Sequence, residues 1–67
     1  MTRVGVVATF DPAAGFGTLR DDTGAEHFFH CTQVAGGSRT ITQGVRVAYE
    51  LRPGHGGRWE AARVTPL

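Results

Sequence analysis

The chain has 67 residues, 40% of them apolar and 19% charged, and carries a formal charge of +1. That length supports one small core and excludes a second domain or a deep enclosed active site. The mixture is not that of a disordered chain, and the charge is too small for a binder held to nucleic acid by bulk electrostatics alone.

A single cysteine, Cys31, excludes an intrachain disulfide framework. No apolar run approaches the length of a membrane span. The opening MTRVGVVATFDP lacks a cleavage pattern and runs straight into strand-like alternation, so it reads as a strand and not a signal peptide. A cytoplasmic location is the corresponding expectation. All seven basic residues are Arg and none is Lys. Arg forks onto phosphates and stacks on flat bases, although a GC-rich coding bias produces the same usage.

Gly, at 10 residues, is abundant, which favours short strands and tight turns over helices. Turn signals divide the chain into five stretches of strand character. The first, Arg3 to Phe10, carries apolar groups on both parities, so alternation leaves its inner face open. The second, Gly15 to Arg20, puts Phe16, Thr18 and Arg20 on one face, with Gly17 and Leu19 on the other. Asp21-Asp22-Thr23-Gly24 reads as a hairpin turn with Gly24 at positive φ. The third stretch, Glu26 to Cys31, sets Phe28 and His30 opposite His27 and Phe29. Thr32 to Ala35 has room for at most one 3₁₀ turn. The fourth, Val45 to Arg52, alternates cleanly with Val47, Tyr49 and Leu51 inward. Pro53-Gly54-His55-Gly56-Gly57 reads as a mobile hairpin connection; no helix or Lys-Ser/Thr pair follows it, so it is not a phosphate loop. The fifth, Arg58 to Thr65, turns Ala62 and Val64 inward and Trp59, Ala61 and Arg63 outward. Short strands at this spacing predict an all-β barrel or sandwich.

If the second and third strands pair as a hairpin, Phe16, Phe28 and His30 stand on one side of the sheet. Parity alone also allows the two Phe to be ordinary core. Outward rings expose apolar surface, and base stacking, worth roughly 1–3 kcal/mol per base, is one use for them.

Four segments, in order, resemble the cold-shock domain proteins of bacteria. Gly5-Val6-Val7-Ala8-Thr9-Phe10 resembles their opening strand G-x-V-K-W-F. Gly15-Phe16-Gly17-Thr18-Leu19 resembles the first ribonucleoprotein motif, K-G-F-G-F-I, and His27-Phe28-Phe29-His30-Cys31 the second, V-F-V-H-F. Ala61-Ala62-Arg63-Val64-Thr65 resembles the closing A-A-N-V-T. The resemblance covers essentially the whole chain. It implies a five-stranded antiparallel OB-type β-barrel that binds single-stranded RNA or DNA without a cofactor, as an RNA chaperone or a regulator of transcription or translation. Carried over position by position, it implies base stacking by Phe16, Phe28 and His30, with Phe10 at the platform edge. Trp59, where the family often has Pro, is either an accessory stacking ring or a cover for the barrel rim. Arg39, Arg58 and Arg63 are the candidate phosphate contacts.

The chain departs from the pattern at the platform itself. The stacking Trp of the first strand is Thr9, the second Phe of the first motif is Thr18, and the last Phe of the second motif is Cys31. The two motif lysines are Ala8 and Ala14. The expectation is therefore a weak, sequence-tolerant binder, either monomeric or a weak strand-exchanged homodimer. The competing reading is an OB-type interaction or structural module that has lost most nucleic-acid affinity. A metal site is not expected, because His27 and His30 point oppositely and no second Cys pair closes a tetrahedron. Nor is an enzyme, since Asp21, Asp22 and Glu26 flank no nucleophile.

Overall fold

The computed structural model describes residues 2–37 and 40–67. Five strands, β1 (Arg3–Asp11), β2 (Phe16–Asp21), β3 (Glu26–His30), β4 (Arg46–Pro53) and β5 (Trp59–Pro66), form a closed barrel in the order β1-β2-β3-β5-β4. This is the all-β, five-stranded OB-type barrel that the sequence predicts. One pairing is not antiparallel: β3 and β5 meet in parallel at Phe28 and Glu60. An odd number of strands cannot alternate direction all the way round a ring, so one seam must be parallel. Short turns fill the connections, at Cys31–Gln33, one residue earlier than predicted, and at His55–Gly57. Among the described residues no helix is long and apolar enough to cross a membrane.

The core is Val7, Leu19, Phe29, Val34, Val47, Tyr49, Ala61 and Val64. Alternation alone finds Leu19, Phe29, Val47 and Tyr49, and Leu51 packs against them from its half-buried position. The ambiguity of β1 resolves with Gly5 and Val7 inward and Val4 and Val6 exposed. Fully burying side chains of this size contributes about 1.5–3 kcal/mol each.

Two bulges shift the parity of the strands that carry them. In β1 the pairing with β2 steps from Val7 and Leu19 to Thr9 and Thr18, leaving Ala8 as the extra residue. Thr9 turns outward, and Phe10 turns toward the core with its ring stacked on Phe29 at 5.9 Å. Gly17 lies opposite Phe10, and a Cβ there would collide with the Thr9 carbonyl oxygen and lie 3.0 Å from the Phe10 Cα. In β5 the pairing with β4 steps from Thr65–Ala48 to Ala62–Glu50, so two residues of β5 oppose Tyr49 alone. Arg63 takes the left-handed conformation, φ 52°, that this bulge requires. Ala61 consequently joins the core, where simple alternation placed it outside; Ala62 is buried as well, and Val64 points in as expected.

The β2–β3 hairpin is organised by Asp21. One carboxylate oxygen accepts from the Thr23 amide (2.9 Å), the Thr23 hydroxyl (2.6 Å) and the Ala25 amide (3.1 Å). The other meets His27 Nε2 at 2.9 Å. These bonds, the Thr23 hydroxyl first and His27 second, hold the carboxyl well below its ordinary range. His27 is therefore a partly buried, hydrogen-bonded residue, as its parity suggests. It stands beside Tyr49, whose ring is 5.8 Å away. The Tyr49 hydroxyl is buried without a hydrogen-bond partner among the described residues, and burial raises its pKa.

Candidate nucleic-acid interface

In the β2–β3 ladder Phe16 lies opposite His30, and Thr18 opposite Phe28. Opposed residues project from one face, so these four side chains share the outside of the sheet. Phe16 and Phe28 are 43% and 39% exposed, while Phe29 beside them is fully buried. The two rings touch, with centroids 5.4 Å apart and planes inclined by 33°. Together they make a continuous aromatic step open to solvent, and the core reading of both is excluded.

His30 is exposed at the end of this step. Its Nδ1 accepts from the Thr32 amide at 3.4 Å and lies 3.1 Å from the Thr32 hydroxyl. An accepting Nδ1 places the proton of the neutral ring on Nε2. That atom has no partner among the described residues and is left as a donor at the exposed end of the step. The Cys31 Sγ lies 3.9 Å from the same His30 Nδ1.

Two threonines share this face. Bulging turns Thr9 onto the outer face, where its hydroxyl meets that of Thr18 at 2.8 Å. Two small hydroxyls bonded to each other thus occupy the part of the platform beside Phe28. Arg20, two residues along β2, is engaged by Glu26 at 2.9 Å.

Trp59 is 60% exposed at the start of β5. The parallel seam brings it to β3, where Glu26, Phe28, Arg58, Trp59 and Glu60 line a cleft of about 450 Å³. Arg58 and Trp59 thus join Phe28. Of the remaining predicted residues, Phe10 and Arg63 lie elsewhere. Phe10 faces the core through the β1 bulge and is not on the platform face. Arg63 lies on the β4 side of β5, 3.7 Å from Glu50 and lining a different cleft with Thr2, Ala48 and Thr65. Arg39 is outside the described residues. Glu26 and Glu60 are the members of the cleft that sequence reasoning missed. Glu26 shares a parity with Phe28 and was findable, whereas Glu60 arrives only through the parallel pairing.

A family model described as 'Cold-shock' DNA-binding domain matches residues 3–67. The chain belongs to the cold-shock domain family. Cold-shock domains bind nucleic acid and are not catalytic, and this one is a nucleic-acid-binding domain. Among solved structures, drosophila Unr CSD456 is similar at 31% identity with a TM-score of 0.81, over 100% of this cold-shock domain and 27% of that chain. The chain thus spans about a quarter of the structure it matches. No curated protein matches the sequence.

Proposed function

We propose that this cold-shock domain binds single-stranded RNA or DNA by stacking bases on Phe16 and Phe28, with His30 Nε2 donating to a base or sugar. Trp59 and Arg58 extend the surface across the seam, and Arg39 is a further phosphate contact. Phe10 and Arg63 take no part. The observation that carries the reading is the pair of touching, solvent-open rings on a barrel whose core is complete without them.

Competing with base pairs by stacking, without chemistry on the nucleic acid, suits an RNA chaperone or a regulator of transcription or translation in the cytoplasm. The domain is a divergent member in this reading. Two Phe stacks at about 1–3 kcal/mol each make a weak, sequence-tolerant binder, working as a monomer or a weak strand-exchanged homodimer and needing no cofactor. The exposure of Val4 and Val6 on β1 favours a second reading, an OB-type interaction module.

The test is a titration with a short single-stranded oligopyrimidine at low salt, read by anisotropy of the labelled strand and by Trp59 fluorescence. Saturable anisotropy with quenching supports the platform and its extension to Trp59. Anisotropy without quenching keeps the binding role and makes Trp59 a rim cover. No binding at high micromolar protein sinks the nucleic-acid reading in favour of the interaction module.

A further inference from the structure

The cleft across the β3–β5 seam has two exposed rings and one carboxylate, Glu60, that is unpaired among the described residues. Glu60 is the parallel partner of Phe28 and so projects beside it. Its side chain is half-buried and has no hydrogen bond or ion pair among the described residues. The other acid of the cleft differs, because Glu26 is held by Arg20 at 2.9 Å. The Glu60 carboxylate lies against Gly54, where a Cβ would collide with it, so the turn backbone leaves room for the carboxylate to sit where it does.

We propose that Glu60 reads the edge of a base seated between Phe28 and Trp59, and makes this subsite select guanine over thymine or uracil. The inference rests on the nucleic-acid reading above and names the base class that one part of that surface takes. An ionised carboxylate only accepts hydrogen bonds. The Watson–Crick edge of guanine offers two adjacent donors, N1–H and the N2 amino group, matching two carboxylate oxygens. Cytosine and adenine each offer one amino group. Thymine and uracil offer a single N3–H between two carbonyl oxygens, which a carboxylate repels. Splayed single-stranded bases are read on this edge while they stack on aromatic side chains. Arg58 on the same cleft supplies a cation for the phosphate of the nucleotide so held.

The experiment uses a labelled heptamer of thymidine and seven variants with one guanosine at each position in turn. Dissociation constants are measured by anisotropy for the protein and for Glu60→Gln. One guanosine position is expected to tighten binding by about 5- to 150-fold, the range of a bidentate base contact. Glu60→Gln, whose amide both donates and accepts, should bring all eight strands within about threefold of one another, with thymidine binding no weaker than before; its thermal midpoint confirms that it folds. Equal binding of all eight strands by the unaltered protein overturns the role of Glu60 and leaves the stacking function standing. A guanosine preference that survives Glu60→Gln overturns it too. Failure to bind any strand removes the underlying nucleic-acid reading, and the inference with it.

Discussion

Phe28 and Phe29 are adjacent in the chain and opposite in duty. Phe29 fills the barrel with no exposed surface, while Phe28 lies against Phe16 in solvent. Phe29→Ala should cost about 3–5 kcal/mol, a large share of the roughly 3–10 kcal/mol that holds together a domain of this length. Phe28→Ala should leave the thermal midpoint within a few degrees and weaken oligonucleotide binding by about 5- to 150-fold, one base stack. Paired melting and binding curves for the two variants check this, and unfolding of Phe28→Ala would make it a core residue after all. Tyr49 shows the opposite imbalance, a buried side chain with an unanswered hydroxyl. Removing an unsatisfied polar atom from the core relieves its desolvation. Tyr49→Phe should therefore match or exceed the parent in chemical denaturation by up to about 1 kcal/mol, and a loss above that would reveal a partner for the hydroxyl.

At the scale of elements, the β2–β3 hairpin depends on one ionised side chain. Asp21 is depressed below its ordinary value of 3.8, so its contribution to stability is complete above the ordinary carboxylate range and is lost as pH falls below it. Thermal melts should drop between about pH 5 and pH 2. Asp21→Asn should melt lower at neutral pH and lose less on acidification, and an equal acid loss would place the sensitivity elsewhere. The strands and this turn were legible because alternation and the Asp-Asp-Thr-Gly signal are local. Where local reading failed, a bulge had inserted a residue: after Ala8, Phe10 changes face, and before Arg63, Ala61 does. Parity counts residues and has no means of seeing a step in register. The positive φ that one bulge needs sits on Arg63, a residue that does not announce it, although the motif it resembles has the more tolerant Asn there. The platform pair Phe16 and Phe28 was legible because the β2–β3 hairpin is local. Glu60 was not, because only the closure of the barrel brings β5 to β3.

For the whole molecule, charge sets the response to salt. The net charge is +1, and near the rings Arg20 is occupied by Glu26 while Arg58 remains. With the proposed Arg39 contact added to Arg58, about two phosphate contacts correspond to a slope near −1.4 in log affinity against log salt, taking about −0.7 per contact for single strands. A salt series by anisotropy measures it, and a slope steeper than about −4 would mean cations that this surface does not present. Such a shallow dependence is what the proposed stacking mode requires, in a binder whose affinity varies little between buffers.

The parallel seam has one further consequence. β1, β2 and β4 are tied to their neighbours by ladders of several residues, whereas β3 and β5 share only the Phe28–Glu60 pair, with Val34 and Val64 bridging beyond the strand end. The barrel is thus sewn tightly on four sides and buttoned on the fifth, and the button lies within the proposed ligand surface. Thermal breathing should begin there, with the amides around residues 28 and 60 trading their hydrogens for solvent deuterium ahead of the ladders. In the proposed binding mode a strand lying across both rings fastens that gap from outside, so occupancy and closure of the barrel become two readings of one equilibrium.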